Sequence, residues 1–201
     1  MRRLMTLACC VAGLAPAQAL AQESTPAQPP PVPEQIAQAL AAAPEERADG
    51  ATIMGFDAYG SLVVIRQGTN DLICLADDPS EEGFSVACYH DSLEPYMARG
   101  RALRDEGVTG MQRMTQRWEE VEAGRLAMPE APAMLYVVRG DAFDASTRSV
   151  QNRYERWVLY TPFATSESTG LSTSPTEAGT PWIMFPGTAG AHIMISPPQD
   201  P

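Results

Sequence analysis

The stretch GTNDLICLADDPSEEGFSVACYH, residues 68–90, decides the fold and holds the two cysteines that lie beyond the first ten residues. Within it, LICLA at 72–76 and FSVACYH at 84–90 place apolar side chains at every second position, which is typical of half-buried strands. The polar segment DDPSEEG joins the two runs. The stretch therefore predicts two antiparallel strands with a hydrophilic connection.

The two cysteines fix how these strands pair. If Ala76 faces Val86, then Cys74 faces Cys88, and the Cβ atoms of facing residues lie about 4.5–5.5 Å apart, near disulfide reach. The period of two and the cysteine spacing agree on this register. We therefore predict a structural Cys74–Cys88 disulfide, worth roughly 3 kcal/mol in the chain-entropy model. It would lie on a sheet face shared by Leu72, Cys74, Ala76, Phe84, Val86 and Cys88.

Two other roles for the cysteines are open but less favoured. A zinc site of Cys74, Cys88, His90 and His192 has suitable ligand types, yet the chain lacks the C-x-x-C or H-x-x-x-H clusters typical of such sites. A nucleophilic Cys88 with His90 or His192 as its base would need a free thiol beside Cys74. We expect no metal and no cofactor.

The N-terminal 21 residues have the pattern of a secretory signal peptide. Arg2 and Arg3 precede an apolar run at 4–14, and Ala-Leu-Ala at 19–21 forms a small-x-small cleavage site. The apolar run is far shorter than the ~20 residues that span a bilayer. We therefore expect no membrane span in the mature chain and a periplasmic or secreted location, where disulfides form.

Beyond the leader, at 1–21, the chain divides into a tether and one domain. Residues 22–33 are rich in proline and small polar residues, which predicts a flexible tether. Residues 34–201 have the length of a single domain. A lipid anchor is disfavoured, because Cys9 has too short an apolar run before it and Cys10 follows a cysteine where a small residue is needed.

Charge and composition exclude several function classes. After residue 21 the chain has 12 arginines and 25 acidic residues, a net charge of −13. This disfavours nucleic acid and anionic lipid as partners. The chain contains no lysine. Schiff-base and pyridoxal-phosphate enzymes, Walker-type phosphate loops and serine–lysine dyads are therefore excluded.

The rest of the sequence predicts an α+β fold. Further strand patterns occur at 51–56, 61–66, 133–139, 156–163, 181–186 and 191–196. Helical periodicity occurs at 34–46 and in two central stripes, Leu93, Tyr96, Met97, Gly100, Leu103 and Met111, Met114, Trp118, Val121. We predict a predominantly antiparallel sheet of about seven strands, opening with an antiparallel meander, with the two central helices packed on one face. Long polar connections at 141–154 and 164–180 are places where a binding site would lie.

Few residues have the chemistry of a catalytic site. His90, Asp91 and Ser92 are the residue types of a hydrolytic triad, but neighbours on a strand point to opposite faces, so we expect no triad there. His192 follows a glycine-rich turn in which Thr188 and backbone N–H groups would hold a small anion or a partner's backbone. Thr188 and His192 are the predicted binding residues, and no catalytic residue is predicted.

The chain contains GTN followed by CLxD within 68–77, and PWIMF followed by GT and AHIM within 181–194. These two stretches resemble exported bacterial proteins to which no function is assigned. The resemblance implies export and supplies no catalytic residue. We expect an exported envelope protein that binds a small molecule or another envelope protein without catalysis. The alternative is a periplasmic hydrolase-type enzyme that uses His192 and a carboxylate brought near by folding.

Overall fold

The computed structural model describes residues 28–177 and 179–197. The predicted signal peptide at 1–21 and the predicted tether as far as residue 27 lie outside them. The described residues form an α+β fold with a mostly antiparallel main sheet of eight strands. These strands are β1 (Thr52–Phe56), β2 (Leu62–Arg66), β3 (Leu72–Leu75), β4 (Phe84–His90), β5 (Ala133–Gly140), β8 (Tyr154–Tyr160), β9 (Trp182–Met184) and β10 (His192–Ile195). Strands β6 (Phe143–Asp144) and β7 (Ser149–Val150) form a separate hairpin within the polar connection at 141–154.

The main sheet has the strand order β2-β1-β3-β4-β5-β8-β10-β9. Strands β3 and β4 pair antiparallel with Cys74 opposite Cys88, so the predicted register is confirmed. The two Cα atoms lie 4.0 Å apart and the Sγ atoms 2.06 Å apart. All six residues predicted to share this face are buried, so the disulfide lies within the core.

The predicted antiparallel meander is wrong at one pairing. Strands β1 and β3 run parallel, with Ile53 opposite Cys74. Strand β2 pairs with β1 as a hairpin and forms the sheet edge, so the chain must cross past the start of β1 before β3 begins on its other side. Alternation of apolar residues identifies each strand but carries no information about this crossing.

Glycine at position 68 lets the chain make the crossing. The backbone N–H of Gly68 donates to Thr52 Oγ1 at 3.1 Å. The next two N–H groups, of Thr69 and Asn70, donate to the Gly50 carbonyl at 2.8 and 3.0 Å. A Cβ on Gly68 would overlap the backbone of Thr52 and Gly50, so only glycine fits here.

The N-terminal helical segment covers the disulfide face of the sheet. In place of one helix at 34–46, the structure has α1 (Val32–Leu40) and α2 (Glu45–Ala48), so helix begins inside the segment predicted as tether. Gln35 is only 2% exposed. Its side chain donates to the Phe56 carbonyl at 3.0 Å and accepts from the Phe56 N–H at 2.7 Å, which fixes α1 against β1.

The opposite sheet face carries the middle of the chain. A 3₁₀ turn (Asp91–Leu93) leads into α3 (Glu94–Asp105), followed by α4 (Gly110–Glu122). Leu93 and Met97 pack against the sheet in a cluster with Ile73, Leu75, Tyr89, Ala133, Leu135 and Tyr160. No residue of α4 is buried, and Glu120 on this helix pairs with Arg99 of α3 at 2.8 Å. The predicted packing of both central helices on the sheet face is therefore not confirmed.

The polar connection at 164–180 contains one short helix, α5 (Ser166–Thr169), which begins with a capping box at Thr165. Within 28–177 and 179–197, every helix is too short or too polar to cross a bilayer.

Candidate functional site

His192, one of the two predicted binding residues, is buried at 7% exposure. Its Nδ1 lies 2.7 Å from the Gly190 carbonyl oxygen. Its ring contacts those of Tyr160 and Phe185, with centroids 5.1 and 5.8 Å away. Burial, reinforced by the positive charge of Arg156, lowers the pKa of His192. These contacts favour a neutral histidine with a structural role.

Thr188, the other predicted binding residue, uses its polar groups within the turn. Its Oγ1 donates to the Phe185 carbonyl at 2.8 Å. The backbone N–H of Gly187 donates to the Ala164 carbonyl at 2.8 Å. These donors are thus occupied by protein acceptors. Ligand binding by Thr188 and His192 stays a prediction.

His90 and Ser92 make a contact that the sequence argument did not expect. Their side chains meet at 2.8 Å, between Ser92 Oγ and His90 Nδ1, and His90 Nε2 lies 3.4 Å from Asp71 Oδ2. The strand ends at His90, so the alternation rule no longer applies to Ser92. The Ser92 backbone N–H also donates to Nδ1, so His90 caps the 3₁₀ turn. His90 and Asp71 are 40% and 44% exposed, on the open surface.

In the described part of the chain, the side chains that commonly bind metal ions are not clustered. Among residues 28–177 and 179–197, no three His, Cys, Asp or Glu side chains are grouped as a metal site would require. Cys74 and Cys88 are fully buried and bonded to each other.

The polar feature with the clearest binding geometry is an open groove on the α3 side of the sheet. Strands β3, β4, β5 and β8 form its floor and helices α3 and α4 its walls. The groove has a volume of about 450 Å³, within the range of small-molecule sites. A row across the floor is set by the strand register, with Leu75 opposite Ala87, Ala87 opposite Val137, and Val137 opposite Arg156.

Six arginines line this groove, and its lining contains no carboxylate from the described part of the chain. They are half of the 12 arginines that follow residue 21. We call this feature the arginine groove. Its arginines are Arg101 and Arg104 from α3, Arg113 and Arg117 from α4, Arg139 from β5 and Arg156 from β8.

The α3 arginines have carboxylate partners at the groove margin. Arg101 Nη2 lies 2.6 Å from Glu94 Oε1, and its Nη1 donates to Tyr89 Oη at 3.0 Å. Tyr89 Oη in turn donates to Glu94 Oε2 at 2.5 Å. Burial is the main cause of the raised pKa of Tyr89, so this hydroxyl keeps its proton. Arg104 pairs with Asp78 at 3.2 Å.

Arg117 contacts an aromatic ring and has no carboxylate partner among the described residues. Its guanidinium carbon lies 4.1 Å from the centroid of the Tyr96 ring, a cation–π contact. Its Nη1 donates to the Tyr96 carbonyl at 3.3 Å. A Cβ on Gly100 would lie 2.8 Å from Arg117 Nη1, so the absence of a side chain at Gly100 makes room for the guanidinium.

The other three groove arginines have no carboxylate partner among residues 28–177 and 179–197. The Nε atoms of Arg113 and Arg156 are buried and lack a hydrogen-bond acceptor within the same residues. An unsatisfied buried donor costs about 1–3 kcal/mol, and more when it is charged. Burial, followed by repulsion from Arg139, lowers the pKa of Arg156. The described residues therefore do not compensate these charges fully.

These arginines were not among the predicted site residues, although the sequence contains a signal for two of them. Arg139 shares the strand phase of Leu135 and Val137, and Arg156 shares that of Val158 and Tyr160. A charged residue in the phase of the apolar face of a strand is an exception that marks a site. That the two helices and two strands supply one groove follows only from the tertiary structure.

Comparison with known proteins adds no further constraint: the chain matches no protein-family model, no curated protein and no solved structure.

Proposed function

We propose that this protein is an exported, non-catalytic binding module that holds a small anionic ligand in the arginine groove. The observation that carries the proposal is the set of three arginines, Arg113, Arg139 and Arg156, that line the groove with neither a carboxylate nor a cation–π partner among the described residues. Arginine binds carboxylate and phosphate oxygens through paired N–H donors. A bound anion supplies the acceptors that the described residues do not.

Export rests on the N-terminal signal pattern and on the resemblance given above. The Cys74–Cys88 pair supports it, because disulfides persist in oxidising compartments. We place the protein in the periplasm or outside the cell.

We also propose that both central helices lie over the same sheet face, as the sequence predicts. Helices α3 and α4 together form the walls of the groove, and α4 contributes Arg113 and Arg117 to it.

A small ligand fits better than a polymer. The chain after residue 21 carries a net charge of −13, which repels a long polyanion such as nucleic acid or an anionic bilayer. A small anion responds mainly to nearby charges, because charges on the surface that are more than about 8 Å away are largely screened at physiological salt. The net negative charge of the protein thus disfavours large polyanions, while the arginines of the groove favour a small anion over a neutral ligand.

Thermal unfolding in the presence of sodium pyrophosphate tests the proposal. A ligand at 100 times its Kd stabilises the native state by about 2.7 kcal/mol, which raises Tm by several degrees. We expect this rise in the wild-type protein and in Arg148→Gln, an exposed arginine outside the groove. Arg139→Gln should lose most of it. Equal shifts in all three proteins, or no shift at matched ionic strength, would contradict the proposal.

A second candidate, a serine hydrolase, is supported by the contacts of Ser92, His90 and Asp71. These three residues support the hydrolase alternative better than His192 does, because the described contacts of His192 include no carboxylate. With Nδ1 as acceptor, His90 can take the Ser92 hydroxyl proton, and its Nε2 lies 3.4 Å from Asp71 Oδ2. A fluorophosphonate probe should then label the wild type and not Ser92→Ala. Absence of labelling, or equal labelling of both, would eliminate this candidate.

A further inference from the structure

The lining of the arginine groove has a charged part and an apolar part. Its charged part contains Arg113 from helix α4 together with Arg139 and Arg156 from the neighbouring strands β5 and β8. Its apolar part is continuous with that charged part. It is made of half-buried side chains from β3, β4, α3 and β5: Leu75, Ala87, Met97, Leu135 and Val137.

The charged part matches an oxyanion with several terminal oxygens. Three guanidinium groups without a carboxylate partner among the described residues exceed what one carboxylate can satisfy, since its two coplanar oxygens match a single arginine fork. A phosphate monoester carries a charge of about −1.5 to −2 near neutral pH and presents three acceptor oxygens. Its three terminal oxygens can accept hydrogen bonds from three separate guanidinium groups.

The apolar part requires a ligand that is more than a free anion. Ala87 and Val137 lie opposite each other on the floor, and Val137 lies opposite Arg156 on the next strand. A ligand whose anionic group reaches Arg156 therefore places its neighbouring atoms over Val137 and Ala87. Burial of apolar ligand atoms there contributes roughly 25 cal/mol per Å².

We propose that the ligand of the arginine groove is a phosphate monoester with an apolar body, its phosphate on Arg113, Arg139 and Arg156 and its body over Ala87 and Val137. This inference rests on the proposed function and narrows it to a chemical class.

Isothermal titration calorimetry with four related probes tests it: 1-naphthyl phosphate, 1-naphthoate, 1-naphthol and inorganic phosphate. We expect 1-naphthyl phosphate to bind at least ten times more tightly than 1-naphthoate or inorganic phosphate, and 1-naphthol not to bind. This comparison uses the wild-type protein alone, so it does not depend on whether a variant folds.

Two matched variants locate the apolar body. Val137→Thr preserves the shape of the side chain but makes it polar, and it should weaken 1-naphthyl phosphate several-fold while leaving inorganic phosphate unchanged. Val64→Thr, at an exposed position of β2 outside the groove, is the control and should change neither.

The outcomes separate the inference from the proposed function. If 1-naphthyl phosphate binds no more tightly than inorganic phosphate, or 1-naphthoate binds as tightly as 1-naphthyl phosphate, the inference is wrong while anion binding stands. If no anion binds, the proposed function and the inference both fail.

Discussion

Arg139 on β5 and Arg156 on β8 are diagonal neighbours on one sheet face, because Arg156 lies opposite Val137. Both side chains line the arginine groove, and neither has a carboxylate partner in the part of the chain that the structure describes. Like charges directly opposite each other destabilise a sheet, and diagonal neighbours are still within reach of each other when their side chains are long. A stable protein tolerates this arrangement when the charges serve a ligand, which is the usual balance of stability and function at binding sites.

The first prediction concerns the stability cost of these charges. Arg139→Gln removes one member of the pair from an exposed position. We expect the free energy of unfolding without ligand to stay unchanged or to rise by up to about 1 kcal/mol, measured by urea denaturation. Arg148→Gln is the control for loss of an exposed arginine. A loss of more than about 1 kcal/mol in Arg139→Gln would mean that Arg139 stabilises the fold by contacts of its own.

The second prediction concerns the crossing turn. Gly68→Ala places a Cβ against the backbone of Thr52 and Gly50, so the crossing between β2 and β3 must shift. We expect a loss of about 3 kcal/mol or more in the free energy of unfolding, as large backbone-strain effects give. Gly60→Ala is the matched control, since its Cβ meets nothing within 4 Å and only its positive φ of 78° opposes the change. The control should lose about 1–2 kcal/mol; similar losses in both variants would refute the steric account.

The third prediction concerns the disulfide. Cys74 and Cys88 are 14 residues apart in sequence, and a loop of that length contributes about 3 kcal/mol. We expect the double variant Cys74→Ala, Cys88→Ala to lose about that much stability. Both cysteines have 0% exposure, so the protein must be unfolded before alkylation: iodoacetamide should modify neither cysteine without reductant and both with it. Alkylation of the unfolded, unreduced protein at either cysteine would show that the thiols are free.

The fourth prediction is a pH dependence that arises from His192. Its pKa is lowered in the folded state, chiefly by burial, so the unfolded chain binds the proton more readily. Stability must therefore fall as the pH drops below the unfolded-state pKa of about 6.5. His192→Gln should remove this contribution between about pH 7.5 and 5.5, seen as a smaller change in urea midpoint than in the wild type. His90→Gln is the control for the other histidine, and an unchanged slope in His192→Gln would contradict the assignment.

The strands of the fold were predictable because their signals are local. Alternation identified FSVACYH as a strand with the same bounds as β4, and the spacing of Cys74 and Cys88 fixed its register against β3. The parallel pairing of β1 and β3 was not predictable from alternation, since it depends on a crossing at Gly68. The same holds for α4, whose methionine and tryptophan stripe suggested a core helix although none of its residues is buried.

The site was less predictable than the fold. Histidine is rare in this chain, so His192 and the long polar connections were the expected places for a site. The groove instead uses arginine, the chain's only strongly basic residue type. The contact between Ser92 and His90 forms because strand β4 ends at His90. If the strand continued by a few residues, the two side chains would follow the alternation of a strand. Assembly of the six groove arginines depends on four separate elements meeting, α3, α4, β5 and β8, which no spacing in the sequence encodes.

Anion binding in the arginine groove is tested most directly by NMR of the arginine Nε–Hε groups during titration with sodium pyrophosphate, assigned through single Arg→Gln variants. The account predicts saturable shifts of the Arg113 and Arg156 signals, whose Nε atoms lack an acceptor among the described residues, and an unmoved Arg148 signal. Small shifts spread evenly over all arginines, or none at Arg113 and Arg156, would contradict it.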